Sequence, residues 1–410
     1  MFSIEGIIAN IGLRKRIEID TTLGLFSSIL EPTGIADFLL ESEIIFPGFI
    51  DLHVHAREDM SHSQEYKEDF ISAGRAAING GVVAFAEMPN NPIAPVDDIS
   101  YQNKNILAQK SPITVLLYAG IGPKTIPLSR KVPYKVFMGP SVGELFFTSQ
   151  EDLEKVIVKY AGQCVSFHCE DPEILEENKN NSSHILRRPP EAEMKAIDFA
   201  LMLIRKYNLF GKICHCSTLS GIEKIIQAKK EGLNVVVEVT PTHLFFDSSM
   251  VEGEKGKFLQ MNPPVRISKE NRLGLIEHLR LGNIDYLATD HAPHTIEEKE
   301  KGTSGIPQLD TYGPFVSWLI SEHNFSFEDI VRVCALNPGV FINQFIDQKY
   351  GKIEVGYVGS LTVLDLARPV LIDKKMLKTK CGWSPFEGFT FSGSVVMTIV
   401  KGKILKNENR

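Results

Sequence analysis

The stretch GFIDLHVHAR, residues 48–57, is typical of a buried strand that ends in polar side chains. Residues two apart on a strand point to the same face, so His53 and His55 are expected to lie side by side. Seven more apolar, β-branched runs follow: GVVAFAEM (81–88), ITVLLYAG (113–120), YKVFM (134–138), CVSFHCE (164–170), KICHCS (212–217), NVVVEVT (234–240) and DYLATDH (285–291). The sequence therefore predicts eight strands.

Segments with helical spacing separate most of these runs. The clearest begins after Ser149, a residue type that caps helices, and has apolar residues at Leu153, Val156, Ile157 and Tyr160. Other helices are predicted at 65–79, 191–207, 219–231, 269–281 and 309–323. This alternation over about 300 residues predicts an α/β fold, a TIM-like (β/α)₈ barrel, because eight parallel strands joined by crossover helices close the sheet. An open doubly wound sheet is the alternative, but no GxGxxG motif follows a strand.

The two ends of the chain differ from this pattern. Short β-rich pieces with turn residues lie at 4–11 and 17–20, and again at 356–366 and 393–405. We expect them to form one small β-sandwich domain built from both ends. The predicted boundaries are 1–46 and 348–410 for the small domain and 47–347 for the barrel.

The composition narrows the class of protein. The 410 residues carry 44 basic and 51 acidic side chains, a net charge of −7, which argues against binding of nucleic acid. There is no signal-peptide pattern and no apolar run of membrane-spanning length, and six scattered cysteines do not suggest a disulfide framework. A cytoplasmic enzyme without a membrane partner is expected. The charged stretch 297–302 predicts a solvated loop.

Polar residues collect where the predicted strands end, which in a barrel of this kind is the catalytic face. A lone histidine there would usually be a hydrogen-bonded core residue, but several together would be costly to bury without a metal. The candidate metal ligands are His53, His55, His168, His215 and Asp290. Five ligands exceed what one tetrahedral zinc ion with an open position accepts, so two zinc ions are predicted.

Lys135 lies among apolar residues of the fourth run. An unpaired buried ammonium is unfavourable, and carboxylation by carbon dioxide would turn it into an anionic bridge between two metal ions. The alternative is a salt bridge to an acid such as Glu144.

Three further residues suit a substrate that carries a carboxylate: Arg57, Asn90 and His294. Asn262, in a loop after the seventh run, could also contact the ligand. Taken singly, Arg57 could cap a loop and Asn262 could belong to a rigid turn with the prolines after it. Two other pairs near the strand ends favour simpler roles. Cys214 and Cys216 are expected to be small buried apolar residues rather than thiolate ligands. Glu238 and His243 either position the site or start a helix.

Taken together, these motifs resemble the cyclic amidohydrolases of the amidohydrolase superfamily, and within them the dihydroorotase group. The resemblance covers almost the whole chain and rests on FPGFIDLHVHAR (46–57), AEMPNNP (86–92), YKVFM (134–138), HCED (168–171), CHCST (214–218), EVTPTHL (238–244), MNPPVR (261–266) and ATDHAPHT (288–295). The last string is the most specific.

The resemblance implies an enzyme of pyrimidine biosynthesis that interconverts N-carbamoyl-L-aspartate and L-dihydroorotate. It implies metal ligation by the residues named above, carboxylated Lys135 as the bridge, attack by a metal-activated hydroxide, and Asp290 as general acid and base. Arg57, Asn90 and His294 would bind the substrate carboxylate, with Asn262 near the ring; a homodimer is a family-level expectation.

Two rival functions are a hydantoinase, dihydropyrimidinase or allantoinase, and a non-catalytic scaffold subunit. Two stretches depart from the family pattern: EDMSHS (58–63) is longer than the usual turn, and Gln308 and Asp310 replace commoner residues.

Overall fold

The computed structural model describes residues 1–140, 145–247, 250, 254–266 and 268–408. Its strands, numbered β1–β18 in chain order, are Phe2–Ile8, Leu13–Asp20, Leu25–Leu30, Phe38–Pro47, Phe49–Val54, Val82–Glu87, Thr114–Leu117, Ala119–Ile121, Tyr134–Phe137, Cys164–His168, Phe210–Ile213, Val235–Val239, Tyr286–Leu287, Leu361–Asp365, Val370–Leu371, Thr390–Phe391, Ser394–Val400 and Lys403–Asn407.

Its α-helices, numbered α1–α13 in chain order, are Phe70–Asn79, Asp98–Ala108, Gln150–Ile157, Pro172–Asn178, His184–Arg187, Pro190–Lys206, Leu219–Lys230, Pro241–Phe245, Lys269–Arg280, Ile296–Glu300, Tyr312–His323, Phe327–Val331 and Asn337–Ile342. Short 3₁₀ turns cover Val158–Tyr160, Glu254–Lys257 and Leu309–Thr311, and a π-helical turn covers Arg332–Leu336. Within the described ranges, none of the helices combines the length and apolar character needed to cross a membrane.

Strands β5 to β13 form the predicted barrel. All neighbours pair in parallel, in the orders β5-β6-β7 and β8-β9-β10-β11-β12-β13. Strands β7 and β8 are two parts of one barrel strand, interrupted only at Tyr118. The first and last strands meet where His55 donates its backbone N–H to the His291 carbonyl at 2.8 Å. The sheet therefore closes, and the open doubly wound alternative is wrong.

The sequence builds these strands because nearly every side chain in them is buried. Strands β5, β6, β9 and β10 have no exposed position, as expected of parallel strands covered on both faces. The connecting helices start at side-chain caps. Asp69 and Ser72 form a reciprocal capping box at the start of α1, and Ser149 caps α3 as predicted.

Both chain ends join one seven-stranded sheet, in the order β18-β17-β14-β4-β1-β2-β3. It has its own apolar core, to which Ile4 and Ile17 from the front of the chain and Val363 and Met397 from the back contribute. The prediction of a small β domain assembled from both termini is thus confirmed, in the form of a single continuous sheet. Strands β3 and β4, which the sequence patterns did not indicate, complete it.

The charged stretch 297–302 is not a solvated loop, so that prediction is wrong. Residues Ile296–Glu300 form helix α10, and Lys299 is fully buried. Its ammonium donates to the carbonyls of Gln260, Thr303 and Gly305 at 2.8–2.9 Å, which satisfies the buried amine without a carboxylate. Burial lowers the pKa of Lys299 to about 7.

Candidate metal centre and substrate pocket

A cavity opens at the carboxyl ends of the barrel strands, and eight of the ten predicted site residues line it. Its lining is His53, His55, Arg57, Asn90, Phe137, His168, His215, Asn262, Asp290, Ala292, Ser304 and Gly305. The two predicted residues outside that lining lie next to it. Lys135 is on β9, and His294 contacts Arg57.

The centre of the cavity is a cluster of nitrogen and carboxylate ligand atoms. The ligand atoms of His53, His215 and Asp290 all lie within 4.8 Å of one another. His55 Nε2 is 3.1 Å from Asp290 Oδ1, and His168 Nδ1 is 2.9 Å from His215 Nε2. The structure thus brings together all five residues that the sequence singled out as ligands.

In three of these imidazole rings, the nitrogen that faces away from the cavity contacts a side-chain oxygen. His53 Nδ1 contacts Glu238 Oε1, His55 Nδ1 donates to Asn90 Oδ1 at 2.7 Å, and His168 Nε2 contacts Glu170 Oε2 at 2.8 Å. Oxygen acceptors behind the ring fix the imidazole tautomer and orientation, as at metal sites in proteins. Each ring therefore turns its other nitrogen toward the cavity. Asn90, predicted only as a substrate contact, has this orienting role as well.

Burial keeps the imidazoles uncharged, which is the form that binds a metal. It lowers the pKa of His53 to about 3 and the pKa values of His55 and His215 well below their usual range. Burial also raises the pKa of Asp290 well above its usual range, although the Lys135 ammonium opposes this. A buried carboxylate without a neighbouring cation is unfavourable, so this donor set fits a divalent ion such as zinc.

Lys135 is fully buried, and its amine has no oxygen or nitrogen partner among the residues that the structure describes; the Cys214 thiol lies against it. It lies 5.2 Å from the centre of the Phe137 ring. Glu144, named from the sequence as an alternative partner, lies outside the described residues. Among the described residues, no carboxylate therefore pairs with this buried amine, which is an unfavourable place for a positive charge.

Glu238 lies behind the ligand cluster, on strand β12, and not at the start of a helix. Its carboxylate contacts His53, accepts the His215 backbone N–H at 3.1 Å, and pairs with the ammonium of Lys212 at 2.6 Å. Although burial alone would raise its pKa, Lys212 and His53 bring it below the usual range. Lys212 also donates to the Leu52 carbonyl at 3.1 Å. The sequence reasoning did not identify Lys212, although a lysine in a barrel strand was the available signal.

Asp51 is a second residue that sequence reasoning missed. It accepts the backbone N–H of His53 at 3.0 Å and that of Thr289 at 3.1 Å, and it also contacts the Thr289 hydroxyl. It therefore joins the strand that carries His53 to the segment that carries Asp290.

Three site residues have left-handed backbone conformations that favour glycine. The φ angles are +64° at Arg57, +34° at His215 and +50° at Asp290. Such conformations are unfavourable for residues with side chains and cluster at functional sites, where neighbouring contacts hold them. Here they turn the side chains that end three barrel strands into the cavity.

Arg57 and His294 form the polar wall beside the ligand cluster. Arg57 Nη2 donates to His294 Nε2 at 3.3 Å, whereas Arg57 Nε and Nη1 have no partner among the described residues. Arg57 is only 2% exposed and lines the cavity, so these buried N–H groups suit the binding of an anion there. Asn262 Oδ1 is also buried, and no described residue donates to it.

The remaining candidates differ in role. The ligand atoms of His53, Cys214 and Glu238 form a second close group, but burial raises the pKa of the Cys214 thiol to about 11, so it is expected as the neutral thiol. Cys216 is fully buried. His243 contacts the Thr240 hydroxyl and the Pro263 carbonyl at 2.9 and 3.0 Å and so anchors the loop of Asn262.

The two stretches that depart from the family pattern have structural roles. In EDMSHS, Glu58 accepts the Phe70 backbone N–H and Asp59 accepts that of Ile93, both at 3.0 Å. Gln308 bridges the Thr242 hydroxyl and the Thr289 carbonyl. Asp310 binds Asn79 and backbone N–H groups of the C-terminal segment, outside the lining of the cavity.

Curated relatives share this chain along most of its length. The dihydroorotase of Thermococcus kodakarensis is 36% identical over 370 residues, 89% of this chain and 84% of that protein. The dihydroorotase of Methanosphaera stadtmanae is 33% identical over 429 aligned residues, 99% and 95% of the two chains. That of Pyrococcus furiosus is 31% identical over 370 residues, 90% and 83%.

Solved structures share the fold. The L-hydantoinase (dihydropyrimidinase) of Arthrobacter aurescens superposes with a TM-score of 0.89 at 25% identity, covering 100% of this chain and 97% of the other. A D-hydantoinase from Thermus sp. has a TM-score of 0.84 at 21% identity, with 100% and 96% covered. Residues 44–405 match the Amidohydrolase family, a span that includes every barrel strand and every residue of the cavity. With the ligand cluster at the mouth of a closed barrel, these matches establish that the chain belongs to the amidohydrolase family.

Proposed function

We propose that this protein is a metal-dependent cyclic amidohydrolase, a dihydroorotase, that interconverts N-carbamoyl-L-aspartate and L-dihydroorotate in pyrimidine biosynthesis. The observation that carries the proposal is Arg57, buried beside the ligand cluster with two nitrogens unpartnered, because it matches a ring substrate that carries a carboxylate. The three dihydroorotases that align along the chain support the same substrate.

The five clustered ligands are His53, His55, His168, His215 and Asp290. Together with carboxylated Lys135 as the bridging residue, they would hold two zinc ions. Bound metal would supply a Lewis acid that polarises the substrate carbonyl and makes a water acidic near neutral pH. Because the unpartnered Lys135 amine lies beside these ligands, its carboxylation would replace an unfavourable buried cation by an anion between cations.

The chain's own residues would orient the substrate and move the proton. Arg57 binds the substrate carboxylate, and Asn262, whose Oδ1 is unpartnered, contacts the ring. Asp290 accepts a proton from the attacking water and passes it to the leaving ring nitrogen as the ring C–N bond breaks. In the biosynthetic direction it takes the proton from the attacking carbamoyl nitrogen as that bond forms and passes it to the departing oxygen, which leaves as water. The left-handed backbone of Asp290 directs the carboxylate into the cavity, with Oδ1 3.2 Å from His53 Nε2 and 3.1 Å from His55 Nε2.

The direct test is turnover of L-dihydroorotate by purified protein of known metal content, with hydantoin and allantoin as controls. We expect selective turnover of L-dihydroorotate, loss of activity after treatment with a chelator, and recovery when zinc is added back. Metal-loaded protein that opens hydantoin or allantoin but leaves dihydroorotate intact would overturn the proposal in favour of a sister activity.

A second candidate is a hydantoinase-type activity on an uncharged ring, which the close superposition on the L-hydantoinase favours. Arg57→Met separates the two. For dihydroorotate the variant is expected to raise KM about a hundredfold, because a charge-assisted contact to the carboxylate is lost. For hydantoin, which has no carboxylate, KM is expected to change little. Equal effects on both rings would favour the hydantoinase.

A non-catalytic scaffold is the weakest of the three. Such a subunit has no need of a ligand cluster, yet here every ligand position is filled and the side chains converge on one cavity. If the metal-loaded protein hydrolysed none of dihydroorotate, hydantoin and allantoin, the scaffold function would be supported.

A further inference from the structure

The carboxylate of Glu298 accepts hydrogen bonds from four donors beside the substrate pocket. Oε2 accepts from His294 Nδ1 at 3.1 Å and from the Thr295 backbone N–H at 3.0 Å. Oε1 accepts from the Tyr66 hydroxyl at 2.6 Å and from the Lys67 ammonium at 2.9 Å. Since all four groups donate, only an ionised carboxylate satisfies this position.

These contacts decide which nitrogen of His294 carries its hydrogen. Two groups approach His294 Nδ1: the Glu298 carboxylate at 3.1 Å, which can only accept, and the Lys67 ammonium at 3.3 Å, which can only donate. The carboxylate is nearer, and the ammonium already donates to Glu298 Oε1 at 2.9 Å, so we place the hydrogen on Nδ1, pointing to Glu298. Nε2 is then an acceptor, and it receives the Arg57 Nη2 donor at 3.3 Å. The other tautomer would set an Nε2–H against that guanidinium N–H. Burial, together with the nearby charges of Arg57 and Lys67, lowers the pKa of His294 to about 2, so the ring is neutral.

Holding Nη2 in this way fixes the direction of the whole guanidinium. Arg57 Nε and Nη1 have no partner among the described residues and belong to a side chain that lines the cavity. Lys67 and Tyr66 lie in the segment that follows the first barrel strand, whereas Glu298 follows the last one. The network therefore ties together the two segments between which the substrate carboxylate would enter.

We infer that Glu298 is a positioning residue for substrates that carry a carboxylate: it fixes the tautomer of His294, and His294 in turn orients Arg57 toward the substrate. This inference rests on the proposed function and deepens it.

A simpler role for Glu298 is to cap helix α10, since Glu298 and Thr295 form a reciprocal capping box there. Capping accounts for the Thr295 contact but not for those with His294, Tyr66 and Lys67. The two roles predict different measurements, because loss of a cap lowers stability without weakening the binding of a substrate.

The test is Glu298→Gln in the metal-loaded enzyme. Either orientation of the amide sets an NH₂ group against donors, so the His294 tautomer or the Lys67 contact is disturbed. We expect KM for L-dihydroorotate and the calorimetric Kd for orotate, a planar ring with the same carboxylate, to rise about tenfold. Metal content and kcat should stay near the wild-type values.

Glu297→Gln is the matched control, since it makes the same change at the next residue of the turn, which is exposed. It should leave KM and Kd unchanged. If Glu298→Gln lowers Tm but leaves KM and Kd at the wild-type values, Glu298 only caps the helix and the inference is overturned. A fall in kcat without a change in KM and Kd would overturn it too.

If Glu298→Gln does not fold, Tyr66→Phe decides, because Tyr66 is exposed and removal of its hydroxyl takes one donor from Glu298. A KM for L-dihydroorotate and a Kd for orotate about two- to threefold above wild type would support the inference. Unchanged values would overturn it. Failure of the wild-type enzyme on dihydroorotate would concern the proposed function instead, because orotate affinity is compared between variants without turnover.

Discussion

Asp290→Asn is expected to reduce kcat for L-dihydroorotate by about a thousandfold, the range that a positioned acid–base group contributes. The amide has nearly the same size as the carboxylate but cannot take up the proton of the attacking water. Asp290 Oδ1 lies 3.2 Å from His53 Nε2 and 3.1 Å from His55 Nε2, so the substitution changes chemistry at the centre of the ligand cluster. Steady-state kinetics with a metal count on the same sample measures the effect.

Asp310→Asn is the matched control, because Asp310 is also a buried carboxylate that follows the last barrel strand. It accepts Asn79 Nδ2 at 2.7 Å and two backbone N–H groups of the C-terminal segment, and it does not line the cavity. Its loss should cost about 1–3 kcal/mol of stability with little effect on kcat. If Asp290→Asn kept turnover within about tenfold of wild type, a value below the usual contribution of such a group, its assignment as the acid–base residue would be wrong.

The barrel was predictable from sequence because its strands are buried on both faces. Such strands appear as uninterrupted apolar runs, so CVSFHCE at 164–170 anticipates the observed Cys164–His168 closely. The helices followed from caps and periodicity, as at Ser149 before Gln150–Ile157. Boundaries were less accurate where the backbone turns. The run at 285–291 ends as a strand already at Leu287, because Asp290 takes a left-handed conformation.

The small sheet was harder to predict. Strand Leu25–Leu30 has mostly intermediate burial and Phe38–Pro47 mixes exposed and buried positions without strict alternation, so neither gives a clear pattern. The partners of β4 are β1 from the front of the chain and β14 from the back. Pairings across more than 300 residues leave no local signal in the sequence.

The ligand cluster could be anticipated because histidines at strand ends are conspicuous, whereas the contacts that support Glu238 could not. Lys212 and Glu238 lie on neighbouring strands, and their ion pair depends on the register of Gly211 with Val235, which only the folded sheet defines. Nor did the sequence indicate that Glu298 contacts the site. It stands in a run of charges that usually marks a solvated surface, and only its contacts with Tyr66 and Lys67, over 230 residues earlier in the chain, draw it into the site.

Lys135→Met is expected to reduce the metal content from two ions to one or none and to lower turnover by about a thousandfold, since loss of a bridged pair forfeits several kcal/mol of transition-state stabilisation. In the metal-free protein, the same change should leave the free energy of unfolding unchanged or higher, because an apolar side chain of similar length replaces a buried amine that has no oxygen or nitrogen partner among the described residues. Metal analysis, kinetics and denaturant unfolding measure the three effects.

Lys135→Glu is the variant that distinguishes a bridging carboxylate from any other use of the lysine. It places a permanent carboxylate on β9, so it should recover part of the metal and of the turnover that Lys135→Met loses. In the wild-type enzyme, metal reconstitution should be more complete with bicarbonate than in carbonate-free buffer, and the native mass should include one added carbon dioxide. Full metal content and normal turnover in Lys135→Met would instead mean that the ligand cluster binds its ions without Lys135. The unpartnered amine would then reflect only the apolar packing around Phe137, and the five ligands would have to hold the metal unaided.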